Sequence, residues 1–146
     1  MKISKLTSAY LAGLVDGEGY IGIIRMKKGS KKEWSLKRKE QYIPVIKLSS
    51  TDKDIIEWLK DSFGGNMETR KTHGNSKESY MWTMRKKQVL DFIRYIYPHT
   101  RIKTKQIQTL LRFPSGKTGH PITQEVQDLR EKLYKEIRKL NKRGVA

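Results

Sequence analysis

A chain of 146 residues with 36% hydrophobic content has the length of one domain with a proper core. Lysine and arginine outnumber aspartate and glutamate 32 to 15, a formal charge of +17 that points to a polyanion, nucleic acid before an anionic membrane. The absence of cysteine excludes disulfides, cysteine-based zinc sites and thiol catalysis, and no run of about 18 apolar residues is present to span a membrane.

Residues 7–17 read as a helix, with Thr7 or Ser8 able to cap its first turn. Ala9, Gly13 and Gly17 recur every four residues and so share one face with almost no side-chain bulk, while Leu11, Leu14 and Val15 are left for the core. A strand follows over 20–28, then a basic loop, KKGSKKEW, over 27–34. A second strand runs over 40–50, with Pro44 arguing against a fully paired position or marking a bulge. Asp52 can cap a helix over 53–63 that presents Ile55, Ile56, Leu59 and Phe63 at helical spacing and ends at Gly64-Gly65.

A second strand pair, 66–72 and 79–85, flanks the turn HGNSK. Helices are predicted over 87–97, with Val89, Leu90, Ile93 and Ile96 inward, and over 103–112. After the loop PSGKTGHP, a last amphipathic helix over 123–142 carries Val126, Leu129, Leu133, Ile137 and Leu140 on one stripe. The order is an α+β pattern of two αββ halves followed by further helices, and it is read as one domain over 1–146. SGKT is not a phosphate-binding P-loop: Leu111 stands where that motif needs its first glycine, and a helix rather than a strand precedes it. His73, His99 and His120 are too scattered for a local metal motif.

The stretch Asp16-Gly17-Glu18-Gly19 joins the first helix to the first strand. A helix C-terminus carries partial negative charge, so two carboxylates there call for a cation. Glycines that leave the backbone exposed, beside a carboxylate, make a hard-oxygen site suited to Mg²⁺. Standing alone, the tetrapeptide reads first as an ordinary Asp-Gly turn with solvated side chains.

The nonapeptide LAGLVDGEG, residues 11–19, resembles the signature of the LAGLIDADG homing endonucleases. The αββαββα layout with C-terminal helices is similar to that family over nearly the whole chain, as are the segments YPHTRIKTKQ (97–106) and FPSGKTGHP. The resemblance implies a saddle-like antiparallel sheet for DNA. It implies metal-dependent phosphodiester hydrolysis of double-stranded DNA at a long, rare site, leaving short 3′ overhangs. A chain with one motif resembles the homodimeric class, in which the Ala9–Gly13–Gly17 faces of two copies pack as a self-complementary contact. Two Glu18 carboxylates would then lie close together and need divalent cations, Mg²⁺ with Mn²⁺ or Ca²⁺ as alternatives, to neutralise them. By position, Glu18 matches the family's acidic metal ligand and the Gly17 carbonyl a further ligand. Asp16 matches a structural acid, and Lys103 a basic residue near the scissile phosphate. Ser50 falls where the family often has glutamine in a water-positioning role, and its shorter side chain departs from that pattern.

Alternation along the strands, counted from Glu18 as the resemblance directs, puts Gly22, Ile24, Met26 and Lys28 on the DNA side. In the second strand it puts Gln41, Ile43, Val45, Lys47 and Ser49 there. A slip of one residue would present Ile23 and Arg25 instead. Thr69, Lys71, Met81 and Thr83 are candidates from the second pair, with Arg70 and Arg85 as competitors, and loop lysines including Lys31 and Lys32 suit phosphate contacts. Residues two apart span about 6.6 Å, close to two base-pair steps, so two copies cover a pseudo-palindrome of roughly 20 base pairs.

Two other readings share the fold: an intron maturase that binds RNA without cutting, and a DNA-binding regulator with no metal requirement. No targeting segment or signal peptide is visible in MKISKLTSAY, so the expected setting is intracellular, in a prokaryotic cytoplasm or in a mitochondrion or chloroplast.

Overall fold

The computed structural model describes residues 2–27, 40–71, 74, 77–116 and 120–142. Helix α1 (Lys5–Glu18) leads into the antiparallel strands β1 (Gly19–Met26) and β2 (Gln41–Ser50). Helix α2 (Lys53–Phe63) precedes a second antiparallel pair, β3 (Asn66–Arg70) and β4 (Ser79–Arg85). Helix α3 (Lys87–Ile96), a 3₁₀ turn (Tyr97–His99), α4 (Thr104–Leu111) and α5 (Gln124–Asn141) follow.

The four strands form one sheet in the order β1-β2-β4-β3. Helices cover one face of it. Ile21 and Ile23 of β1, Tyr42, Ile46 and Leu48 of β2, and Trp82 and Met84 of β4 alternate inward and pack with apolar residues from all five helices. Burying each such side chain contributes about 1.5–3 kcal/mol. A run of edge-on rings, Trp58–Phe63–Phe92–Trp82, at centroid spacings of 5.3, 5.7 and 5.6 Å, ties α2 to α3 and β4. Asn141 fastens α5 to the sheet by donating to the Ile21 carbonyl at 2.8 Å.

Several boundaries differ from the sequence reading for local reasons. The side chain of Ser4, not Thr7 or Ser8, caps α1 by accepting from the Thr7 amide at 3.2 Å, and Ser8 is buried one turn on. Pro44 lies inside the central strand β2 without a bulge. Its carbonyl accepts from the Lys86 amide at 2.9 Å, so its backbone edge faces the end of β4, where a missing N–H costs no ladder bond. The α5 stripe is narrower than predicted: Leu133 and Ile137 are buried, whereas Leu129 and Leu140 are exposed. Phe92, not foreseen as inward, is fully buried, and Leu90 only partly so.

The Asp52 side chain caps α2 as predicted, accepting from the amides of Asp54 and Ile55. Gly64 and Gly65 end the helix with φ of 85° and 92°. A Cβ on Gly65 would stand 2.6 Å from the Thr83 carbonyl oxygen and 2.9 Å from Trp82 Nε1, the indole that donates to Gly64 O. Gly65→Ala combines positive φ with a backbone clash, so it is expected to lower stability by about 1–3 kcal/mol, read as a shift of the urea midpoint at unchanged m-value.

Candidate nucleic-acid interface and acidic site

Helix α1 continues through Gly17 to Glu18, so the chain turns only at Gly19. A Cβ there would sit 2.8 Å from the Val15 carbonyl oxygen and 2.9 Å from Val15 Cα, and only glycine lets β1 leave so close to the last helical turn. Gly17 is exposed, with nothing within 4 Å of where its Cβ would be.

The two acids of the stretch have opposite surroundings. The Asp16 carboxylate accepts from the backbone amides of Arg101 (2.7 Å), Ile102 (3.2 Å) and Lys103 (3.0 Å), the segment that opens α4. The Lys103 ammonium returns to the Asp16 carbonyl at 2.9 Å, placing a cation on the negative end of α1. Partial burial pushes the Asp16 carboxyl up, but the three amide bonds and the Lys103 charge together outweigh it and hold the group below its ordinary 3.8. Glu18, two residues on, is exposed and has no hydrogen bond or ion pair among the described residues. Asp16 is therefore a structural clamp, and it holds Lys103 beside the helix end that presents Glu18.

A free carboxylate at a helix C-terminus is a hard-oxygen donor that suits a divalent cation. The described residues contain no cluster of three or more histidine, cysteine, aspartate or glutamate side chains.

Ser50 lies at the end of β2. It alternates with Leu48 on the helix-covered side of β2, and its Oγ accepts from the Asp52 amide at 3.0 Å. This contact ties the hydroxyl oxygen to the turn into α2.

Among the described residues no helix covers the other face of the sheet, and the register shows what it carries. Tyr20, Gly22, Ile24 and Met26 of β1 stand across from Lys47, Val45, Ile43 and Gln41 of β2. Thr83 and Arg85 of β4 face Lys47 and Val45, and Met81 faces Ser49. A slip by one residue is ruled out, because Ile23 is buried in the core and the Arg25 guanidinium lies 5.1 Å from the Tyr134 ring centroid of α5.

Not all of these residues are accessible. The Tyr20 ring folds over Gly22, where a Cβ would come within 2.5 Å of the phenol oxygen. Gly22 is buried beneath it, and Val45 and Ile43 are also buried although they belong to this face. Tyr20, omitted from the sequence reading, is 44% exposed in their place; it has the parity of Glu18 and so was available to the same count.

In β3 the register corrects the prediction. Asn66, Glu68 and Arg70 share the open face with Met81 and Thr83, whereas Thr69 pairs with Tyr80 on the helix side and Lys71 follows with the same parity as Thr69. The Lys71 ammonium instead lies 4.0 Å from Glu78. Lys28, Lys31 and Lys32 lie outside the described residues.

Ala9, Gly13 and Gly17 form an exposed strip on α1 as predicted, with nothing within 4 Å of a Cβ at either glycine. Leu6, one turn earlier, is 87% exposed, and Ile102 beside the Asp16 clamp is 71% exposed. Neither was foreseen as part of an apolar surface, although Leu6 stands three residues before Ala9 and seven before Gly13.

An open antiparallel sheet with a basic, apolar face and an acidic helix end beside it defines a protein built to hold and act on a polyanion. Solved structures share this fold. The homing endonuclease I-CvuI in complex with its target in the presence of calcium is 18% identical, with a TM-score of 0.58, over 88% of this chain and 95% of that one. The archaeal intron-encoded homing endonuclease I-Vdi141I complexed with DNA is 15% identical, with a TM-score of 0.67, over 96% and 87%. I-LtrWI, a LAGLIDADG homing endonuclease bound to target DNA, is 21% identical, with a TM-score of 0.64, over 93% of this chain and 45% of that one. No curated protein sequence matches the chain significantly.

Residues 11–115 match the LAGLIDADG endonuclease family, and the chain belongs to it. Membership makes it an endonuclease, a phosphodiester hydrolase, of a family that uses divalent metals.

Replacing Asp16 with asparagine keeps the size but removes the charge and one acceptor oxygen, so a loss of about 1–3 kcal/mol is expected. Because the folded carboxyl ionises below 3.8, its contribution is complete above that pH and is lost as pH falls through the lowered folded value. Urea titrations of wild type and Asp16→Asn at descending pH should therefore converge only in that acid range.

Proposed function

We propose that the chain works as a homodimer that lays two open sheet faces along a long pseudo-palindromic DNA site and cuts both strands between them, leaving short 3′ overhangs. The observation that carries this is the junction at the end of α1. There a bare, exposed strip, Ala9–Gly13–Gly17, runs into an unpartnered Glu18 beside the open sheet face. Self-association through this strip is isologous, so the acid of one copy meets the acid of the other. Exposed Leu6 and Ile102 supply apolar surface around the strip.

Divalent cations, Mg²⁺ in the first instance with Mn²⁺ or Ca²⁺ able to occupy the same positions, would be held by Glu18 and the Gly17 carbonyl of each copy. They would supply water activation and charge neutralisation at the phosphate. The Lys103 ammonium, pinned by Asp16, stabilises charge that builds up on the scissile phosphate. On the sheet, Lys47, Arg70 and Arg85 are the cationic groups able to reach DNA, while Ile24 and Met26 suit thymine methyls. A DNA substrate supports an intracellular setting, in a prokaryotic cytoplasm or in a mitochondrion or chloroplast.

Glu18→Gln should abolish cutting of the cognate site while folding and metal-free DNA binding persist; normal cutting by this variant would remove Glu18 from the active site. Gly13→Leu has room in the monomer, so it should leave the circular dichroism spectrum unchanged while sedimentation shows a monomer and cleavage falls by at least a hundredfold. DNA affinity should drop steeply with salt, log K falling by about 0.9 per phosphate contact for each unit of log salt.

A further inference from the structure

Among the described residues, every charged side chain on the open face of the sheet is cationic except one. Lys47, Arg70 and Arg85 share that face with Glu68, which stands opposite Met81. Glu68 is exposed and makes no hydrogen bond or ion pair among the described residues; Arg70, two positions along the same face, does not engage it. The other acid of this hairpin, Glu78, is by contrast occupied, by Lys71 at 4.0 Å and by the Tyr80 hydroxyl at 3.3 Å.

A free carboxylate on a surface that receives DNA repels phosphate, so it is compatible with binding only where it meets hydrogen-bond donors. In the major groove those donors are few. Cytosine offers its N4 amino group and adenine its N6 amino group beside the N7 acceptor. Guanine offers only the acceptors N7 and O6, and thymine only O4 and a methyl group. A carboxylate accepts but cannot donate, so it suits cytosine best, is compromised by adenine N7, and is rejected by guanine and thymine.

We propose that Glu68 is a specificity-determining residue that selects cytosine at one position in each half-site. This rests on the reading of the open face as the DNA surface. Glutamine has the same length but turns one acceptor into a donor, which matches the N6/N7 pair of adenine. The competing role for Glu68 is a charge that guards the edge strand β3 against pairing with another chain. That role has no dependence on base identity.

The test selects the full-length protein against a randomised pool of duplex DNA, with wild type, Glu68→Gln and Glu68→Ala in parallel, and sequences the bound fraction. Wild type should enrich cytosine on the order of tenfold or more at one symmetry-related pair of positions. Glu68→Gln should move that position to adenine, and Glu68→Ala should flatten it, with the rest of the site unchanged. Identical base preferences in all three proteins would overturn the proposal and leave Glu68 as an edge guard. A wild type that enriches no sequence would overturn the DNA-reading surface as well, a failure visible before any variant is compared.

Discussion

The Asp16 carboxylate is the constraint on which the acidic site depends. It stands near the negative end of α1, where a carboxylate is electrostatically misplaced. Three amides from residues 101–103 and the returning Lys103 ammonium reverse that penalty. The same contacts join segments 85 to 87 residues apart. They bind the first helix to the start of α4, fix the lysine, and leave Glu18 as the one acid of the stretch with no protein partner among the described residues. A structural acid and a chemical acid thus sit two positions apart, and their surroundings separate the roles.

The sheet divides labour in a similar way. Its inner face is a continuous apolar layer under five helices. Its outer face could have been a second apolar layer in β1 and β2, where Ile24, Ile43 and Val45 cluster. Tyr20 prevents full exposure of that patch by lying across Gly22. The result is a surface whose side nearest β1 is apolar and partly filled, and whose side toward β3 and β4 is polar and mostly cationic. Such a face suits base edges and methyl groups at one side and phosphate oxygens at the other.

Most of the secondary structure was legible because local signals agreed with the tertiary outcome. Asp52 before α2 and the Gly64-Gly65 stop both operate as their residue types suggest. The LAGLVDGEG stretch carried both the helix-to-strand junction and the membership of the family. Counting from Glu18 separated the helix-covered residues of β1 and β2 from those of the open face, since one unbroken strand leaves the acid and pairs in regular register with the next. The count failed in β3, where no anchor of that kind exists and alternation among polar residues has no preferred phase. Ser50 also serves the turn into α2, a contact that a hydroxyl two residues before Asp52 suits.

The amino-acid sequence by itself determined the charge, the order of elements, the bare strip on α1 and the acid that ends it. These are properties of composition and short-range periodicity, which need no knowledge of distant contacts. Only the tertiary structure decided which acid is clamped and which is free, because that depends on amides 85 and more residues away. It alone decided that Tyr20 screens Gly22 and that Glu68 rather than Thr69 faces outward, because cross-strand register is set by pairing between segments and not by either segment alone.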